Sequence, residues 1–293
     1  MRPPESAAHA NWADLTQTAP ALWTGLKATL ARFDQTPDID ALNQAAQQSG
    51  IRNAQNQPIR FEQQTAACGQ RDYERHIFER GVVLTRDLWH DRFNACMWLT
   101  YPAIKAALNA VHLRQLPPSK PPSKPPSKPP SKPQSKPHLP AQSTNMQRSP
   151  ASDAATVFDE SGAILIGPDA RLATWLKDHD WQSAFVTHRH LWDTHHLLVI
   201  GHAVLEKLAA PYPGMITKVL YQPWPALARD TLTRPPAGLD QAVADRWQQD
   251  EFTKPADLFA IPVFGVPGTD PANQDPSYYE NTRVFRPQRC PPA

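Results

Sequence analysis

The sequence predicts an α+β protein: one compact, mostly helical body with a small sheet or hairpin, interrupted by a disordered proline-rich insertion. Three observations carry this. Apolar residues recur at helical spacing in several segments, above all Arg86 to His112. Short aliphatic runs at Ala155–Ile166 and Phe259–Val266 have strand length. Residues 117–136 are five copies of a tetrapeptide, four PPSK and one PQSK, which can enter neither a helix nor a central strand.

Residues 1–20 are polar and Ala/Pro-rich and are expected to be loosely ordered. Leu22, Leu26, Leu30 and Phe33 stay in register for a short helix. Asp38 to Ser49 reads as a second helix, with Asp38 as N-cap and Gly50 as stop. Ile59 to Glu62 has strand character, and Tyr73 to Arg80 a helix ended by Gly81. Thr85 is expected to cap a helical pair that Pro102 divides. Residues 21–116 and 153–290 then form the domain around a 117–152 insertion. Ala155–Ile166 reads as a hairpin turning at Glu160-Ser161-Gly162. Asp169–Asp178 is helical, and Trp181–Leu208 holds one or two helices with a short strand at Leu197–Ile200. Met215–Tyr221 fits helix or strand, Leu239–Glu251 is an exposed helix, and residues 267–293 are coil wrapping the body.

The proline tract reads as a solvated polyproline-like spacer that could reach roughly 60 Å if stiff. A docking peptide for an SH3-type domain is the sharper reading, but Ser123 stands where the flanking basic residue belongs, which favours a plain surface-loop expansion. Deleting residues 117–140 is expected to change the unfolding free energy by no more than about 1 kcal/mol, because loop-closure entropy grows only logarithmically. Denaturant melts of the full and shortened chains check this.

The formal charge of +2 depends on the five repeat lysines; setting them aside leaves 25 basic against 28 acidic residues. Such a body argues against nucleic-acid binding, which needs a basic face. Cys68, Cys96 and Cys290 are odd in number and far apart, so neither a disulfide framework nor a cysteine zinc knuckle is expected. No apolar leader follows Met1, and no run approaches the ~18 apolar residues of a membrane span. A reducing cytoplasm and no membrane contact are the expectations.

Several blocks read together: Tyr73-Glu74 with Ile77-Phe78-Glu79; Trp89-His90-Asp91 with Phe93-Asn94-Ala95; Tyr101-Pro102 with Lys105, Asn109 and His112; Phe158 to Gly162; Gly201-His202-Ala203 with Leu205-Glu206-Lys207; Pro262-Val263 with Gly265; and Val284 to Pro287. In this ordered set the chain resembles the proteobacterial family called domain of unknown function 3025, over roughly residues 20–112 and 150–290. The resemblance implies a shared fold and makes the proline tract an insertion between blocks. It supplies no reaction. Where the family tends toward an Arg-Asp-Ala-Leu-Thr-like lead-in, this chain has Ser152 to Thr156, without the arginine.

The chemistry must then be sought in polar residues that solubility does not call for. His90 and Asn94 share one helix face, and Lys105, Asn109 and His112 another, inside a segment made apolar by Trp89, Phe93, Met97 and Trp98. His90-Asp91 could belong to an HD-type phosphohydrolase site with His76 and Asp159, but capping or a buried His–Asp pair explains a bare dipeptide better. His202 and Glu206, four apart, are either a ligand pair or a histidine satisfied by its own helix. His188, His190, His195 and His196 read as solvated. Glu160 is ordinary turn chemistry, while Asp159 stays open between turn and carboxylate base. The candidate set is His90, His112 and His202 for one divalent metal ion, Asp91, Asp159 and Glu206 for catalysis, and Asn94, Lys105 and Asn109 for ligand binding. A metal-dependent hydrolase leads. The alternatives are a non-catalytic module binding a small anionic metabolite or a partner protein, and a structural protein with a buried polar network. Convergence of His90, His112 and His202 on one pocket is the discriminating geometry, with His90 and His202 expected among those that meet.

Overall fold

The computed structural model describes residues 11–66, 69–114, 149–228 and 232–287. The proline tract, Cys68 and Cys290 lie outside them. The architecture is α+β. Its helices are α1 (Lys27–Leu30), α2 (Ile39–Ser49), α3 (Gln70–Arg80), α4 (Trp89–Thr100), α5 (Pro102–Arg114), α6 (Pro150–Ser161), α7 (Ala170–Lys177), α8 (His202–Leu208) and α9 (Leu239–Gln248). Strands β1 (Arg60–Gln63) and β2 (Val82–Thr85) form a parallel pair joined through α3. Strands β3 (Gly162–Gly167), β4 (His196–Val199), β5 (Ile216–Pro223) and β6 (Phe259–Pro262) form a second sheet ordered β4-β3-β5-β6. In it β3 runs parallel to β5 and antiparallel to β4.

Strand β3, GAILIG, is buried at every position and is the spine of the main core. A smaller core gathers Leu42, Phe61, Ile77, Val83 and Trp98. Helix α4 lies between the two, sending Phe93, Cys96 and Met97 into one and Ala95 and Trp98 into the other. It is therefore buried on nearly all sides, and its polar residues had to find partners inside the protein. Burial pushes the Cys96 thiol up to about 12, as expected of a core cysteine. Helix α5 begins at Pro102, where the Asp240 carboxylate accepts from the backbone N–H of Ala103 and Ile104 at 2.8 and 2.9 Å. A carboxylate from α9 thus caps α5 from across the fold.

Local signals held where caps were explicit. The Asp38 side chain accepts from Ala41 N, and Gly50 and Gly81 close their helices in the left-handed conformation. The hairpin at Ala155–Ile166 is a correction: residues 150–161 are helix, and only 162–167 are strand. Ser149 caps the helix, Pro150 stands at its first position, and alanines fill the early turns. These outweigh the β preference of Val157 and Phe158, whose ring is fully buried beside Trp247. The helix also starts inside the stretch assigned to the insertion. Gly162 makes the abrupt change possible, since a Cβ there would meet the Phe158 carbonyl oxygen at 2.2 Å.

Other departures are smaller. Residues 12–17 form a 3-10 turn with Trp12 and Leu15 buried, so the N-terminal stretch is ordered from there. Leu22–Phe33 breaks into a 3-10 turn at Pro20–Trp23 and the single turn of α1. Leu88, not Thr85, stands at the N-cap of α4. Residues 182–187 and 189–193 are π and 3-10 turns, while Met215–Tyr221 resolves as strand β5. Helix α9 is less exposed than expected, burying Leu239, Val243, Ala244 and Trp247.

Candidate metal centre

Three helix ends meet at one place. His90 lies in the first turn of α4, His202 opens α8, and Glu160 is the penultimate residue of α6. What lets them meet is Gly201. Its N–H donates to the Gly162 carbonyl at 2.8 Å, and a Cβ on it would lie 2.6 Å from Glu160 O and Gly162 N. Only a residue without a side chain brings the start of α8 so close to the end of α6.

His90 Nε2 and His202 Nε2 are 3.0 Å apart. Glu160 Oε2 stands 3.5 Å from His202 Nε2 and 3.8 Å from His90 Nε2. Behind His90, Nδ1 faces Glu206 Oε2 at 3.1 Å. The carboxylate can only accept, so Nδ1 donates and leaves the Nε2 lone pair facing the cluster. Behind His202, the buried Nδ1 has no hydrogen-bond partner among the described residues, and Asp159 Oδ2 lies 3.9 Å away. Both imidazoles turn Nε2 to the cluster, and His90 is held at Nδ1 by a carboxylate, the arrangement that orients metal-ligating histidines.

The charges agree with that geometry. The hydrogen bond to Glu206 raises the His90 pKa against the opposing effect of burial, with Glu160 adding to the rise. Burial would raise Glu160, but its bond to His202 and the nearby His90 hold it below its ordinary value. For Asp159, burial is likewise outweighed, by the Lys105 ammonium and by His202, so the carboxyl sits below its usual range. Glu74 goes the other way: burial raises it, only partly offset by His112 and Asn109.

The cluster forms one wall of a cavity of about 230 Å³, whose other walls include Tyr73, Glu74, Arg86, Asn94 and His112. The expected residues are placed as follows. His90 and His202 converge, with Glu206 beside His90. His112 lines the same cavity but does not join the cluster: its Nδ1 pairs with Ser152 Oγ at 2.8 Å and its Nε2 lies 3.9 Å from Glu74. Asp91 is taken up by Arg86, which reaches it from Nε, from a terminal nitrogen and from its backbone N–H at 2.6–2.9 Å. Lys105 is buried and donates to Asn94 Oδ1 at 2.7 Å and to Asp159. Asn109 donates to Glu74 at 2.7 Å. Those three side chains therefore serve neighbours in the protein first.

The HD-type set, which the sequence disfavoured, is engaged elsewhere: His76 bonds Asp72 O of its own helix, and Asp91 is bound to Arg86. The histidines upstream of His202 stay apart from the cluster: His188 stacks on Trp175, and His195 bonds the backbone of Leu191 and Asp169. Sequence reasoning missed Glu160, because a turn was expected there, and Glu74 and Tyr73, which appeared only as members of a block. Glu160 could have been found from helical spacing had residues 150–161 been read as α6, whose last turn carries Asp159 and Glu160 together.

Among the described residues, no helix is long and apolar enough to cross a membrane. A family model described as "Protein of unknown function (DUF3025)" matches residues 59–128 and 125–289, a span that includes every residue of the cluster. No curated protein and no solved structure matches the chain.

Proposed function

We propose that this chain, which belongs to that family of unknown function, binds one divalent metal ion through His90 Nε2, His202 Nε2 and Glu160, and uses it to hydrolyse a small polar substrate in the adjoining cavity. One observation carries the reading. The circle through three atoms separated by 3.0, 3.5 and 3.8 Å has a radius of about 2.0 Å, which is the bond length from zinc to imidazole nitrogen or carboxylate oxygen. An ion at its centre touches all three donors without side-chain movement.

Two imidazoles and a carboxylate suit Zn, Mn or Fe, and three protein ligands leave positions free for water. Such an ion lowers the pKa of bound water to about 7 and supplies hydroxide at neutral pH. The same donor set serves iron(II) oxygenases. Hydrolysis is favoured by the polar lining of the rest of the cavity, where Tyr73 and Glu74 can hydrogen-bond a polar substrate. The volume of about 230 Å³ suits a small molecule. Glu206 orients His90, and Asp159, fixed by Lys105, is the carboxylate nearest His202 that is not a ligand.

Metal analysis and calorimetric titration of the purified full chain test this. Wild type is expected to bind one zinc ion, with a thermal shift on loading. His90→Ala and His202→Ala are each expected to lose more affinity than the about 10–100-fold of an outer-shell partner, and Glu206→Gln is expected to fall within that range. Affinity is expected to drop as pH falls through the imidazole range, because the two imidazoles must be unprotonated to bind the ion. A folded wild type that takes up no zinc, manganese or iron(II) at neutral pH overturns the reading.

A further inference from the structure

The structure assigns the Tyr73 hydroxyl as a hydrogen-bond donor to a substrate carbonyl oxygen in the cavity, which rests on the metal reading and narrows the substrate to an ester or amide. Lys105 Nζ is a donor and never an acceptor. It lies 2.7 Å from Asn94, so the amide atom facing it must be the oxygen. The other amide atom is then Nδ2, which faces the Tyr73 hydroxyl oxygen at 2.8 Å and must donate to it. Tyr73 therefore accepts from Asn94, and its own hydrogen needs an acceptor elsewhere. Among the described residues the Tyr73 hydroxyl makes no other hydrogen bond.

Tyr73 lines the same cavity as His90, Glu160 and His202. Burial, then the charge of Glu74, hold its pKa well above the ordinary phenol value, so the proton is present at neutral pH. The Lys105 ammonium at the far end of the relay polarises both bonds in the sense that strengthens the Tyr73 donor. Arg86 is held on Asp91 through Nε and Nη2, and one Asn94 N–H is given to Tyr73.

A single neutral O–H fits a single oxygen that gains charge as the reaction proceeds. A carbonyl under attack is such an oxygen. A phosphate monoester would instead bring two negative charges against Glu74, Asp159 and Glu160. In the step, the water oxygen bonds to the carbonyl carbon and the ester or amide bond breaks. One water proton ends on the departing oxygen or nitrogen, and the new carboxylic acid releases the other. Tyr73 keeps its proton throughout.

Acetate, which resembles the carboxylate product, is the probe, with inorganic phosphate in parallel. Zinc affinity and acetate affinity of the full chain are measured separately for wild type, Tyr73→Phe, Asn94→Asp and the double variant. Zinc binding is expected to be unchanged in Tyr73→Phe, while acetate binding to the zinc-loaded chain weakens about tenfold. Asn94→Asp offers only acceptors, so it should turn the Tyr73 hydrogen toward itself and also weaken acetate. It should weaken acetate less when Tyr73 is already Phe, because the hydrogen it captures is gone. If Tyr73→Phe does not fold, Asn94→Asp carries the test. Zinc binding without acetate binding, or with acetate affinity equal in wild type and Tyr73→Phe, overturns the donor role and leaves the metal site standing. Phosphate binding tighter than acetate overturns the carbonyl assignment. A wild type that binds none of zinc, manganese and iron(II) overturns both readings.

Discussion

Replacing Lys105 with methionine is expected to destabilise the fold by about 3–5 kcal/mol, because removing one partner of a buried ion pair leaves the other charge uncompensated. The Lys105 side chain is 5% exposed and sits between Asn94 Oδ1 and Asp159. Methionine fills similar volume but donates to neither. Asp159 then keeps its desolvation cost and loses the ammonium that offsets it, so its folded-state pKa should move from below the ordinary carboxylate value to above it. The sign of the pH dependence follows. In wild type the depressed Asp159 contributes stability above its unfolded pKa, and that contribution is lost as pH falls through the folded value. In the variant Asp159 protonates readily, so the deficit should be largest near neutrality and shrink in acid. Urea melts of both proteins at neutral pH and below the carboxylate range measure this. A deficit that does not change with pH would mean that packing, not charge, dominates at this position.

Gly201→Ala is expected to cost at least the about 1–3 kcal/mol of an overpacked site and to weaken metal binding as well. The added Cβ would stand 2.6 Å from Glu160 O, Gly162 N and Ser161 Cα, all main-chain atoms that cannot rotate away. Relief requires α8 to separate from the α6–β3 junction, and that motion carries His202 away from Glu160. Stability and zinc affinity should therefore fall together. His202→Ala, by contrast, should lose zinc affinity with little loss of stability. Denaturant melts paired with zinc titrations separate the two variants.

The same junction shows how far local sequence reaches. Asp38, Gly50, Gly81 and Pro102 each act through atoms within one helical turn, so their effects are legible from neighbours in the chain. The unusual polarity of Arg86–His112 was legible too, because a helix carrying tryptophans on its faces has no solvent reason to hold His90, Asn94, Lys105 and Asn109. The conformation of residues 150–161 was not. Val157, Phe158 and the aliphatic run after Gly162 suit a strand, and the Ser149 cap and Pro150 that start the helix fell in the stretch read as insertion.

The sequence by itself determined the fold class, the main helices and the presence of a polar segment in an apolar helix. It also singled out His90 and His202. Only the tertiary structure decided that these two meet, 112 residues apart, that Glu160 rather than His112 or Asp91 completes the cluster, and that Lys105 and Asn94 point inward to Asp159 and Tyr73. The physical reason is range. Caps and periodicity act over a few ångströms along one chain segment, whereas the site is built where the ends of α4, α6 and α8 are pressed together by the burial of β3 and by a glycine that lets two backbones touch.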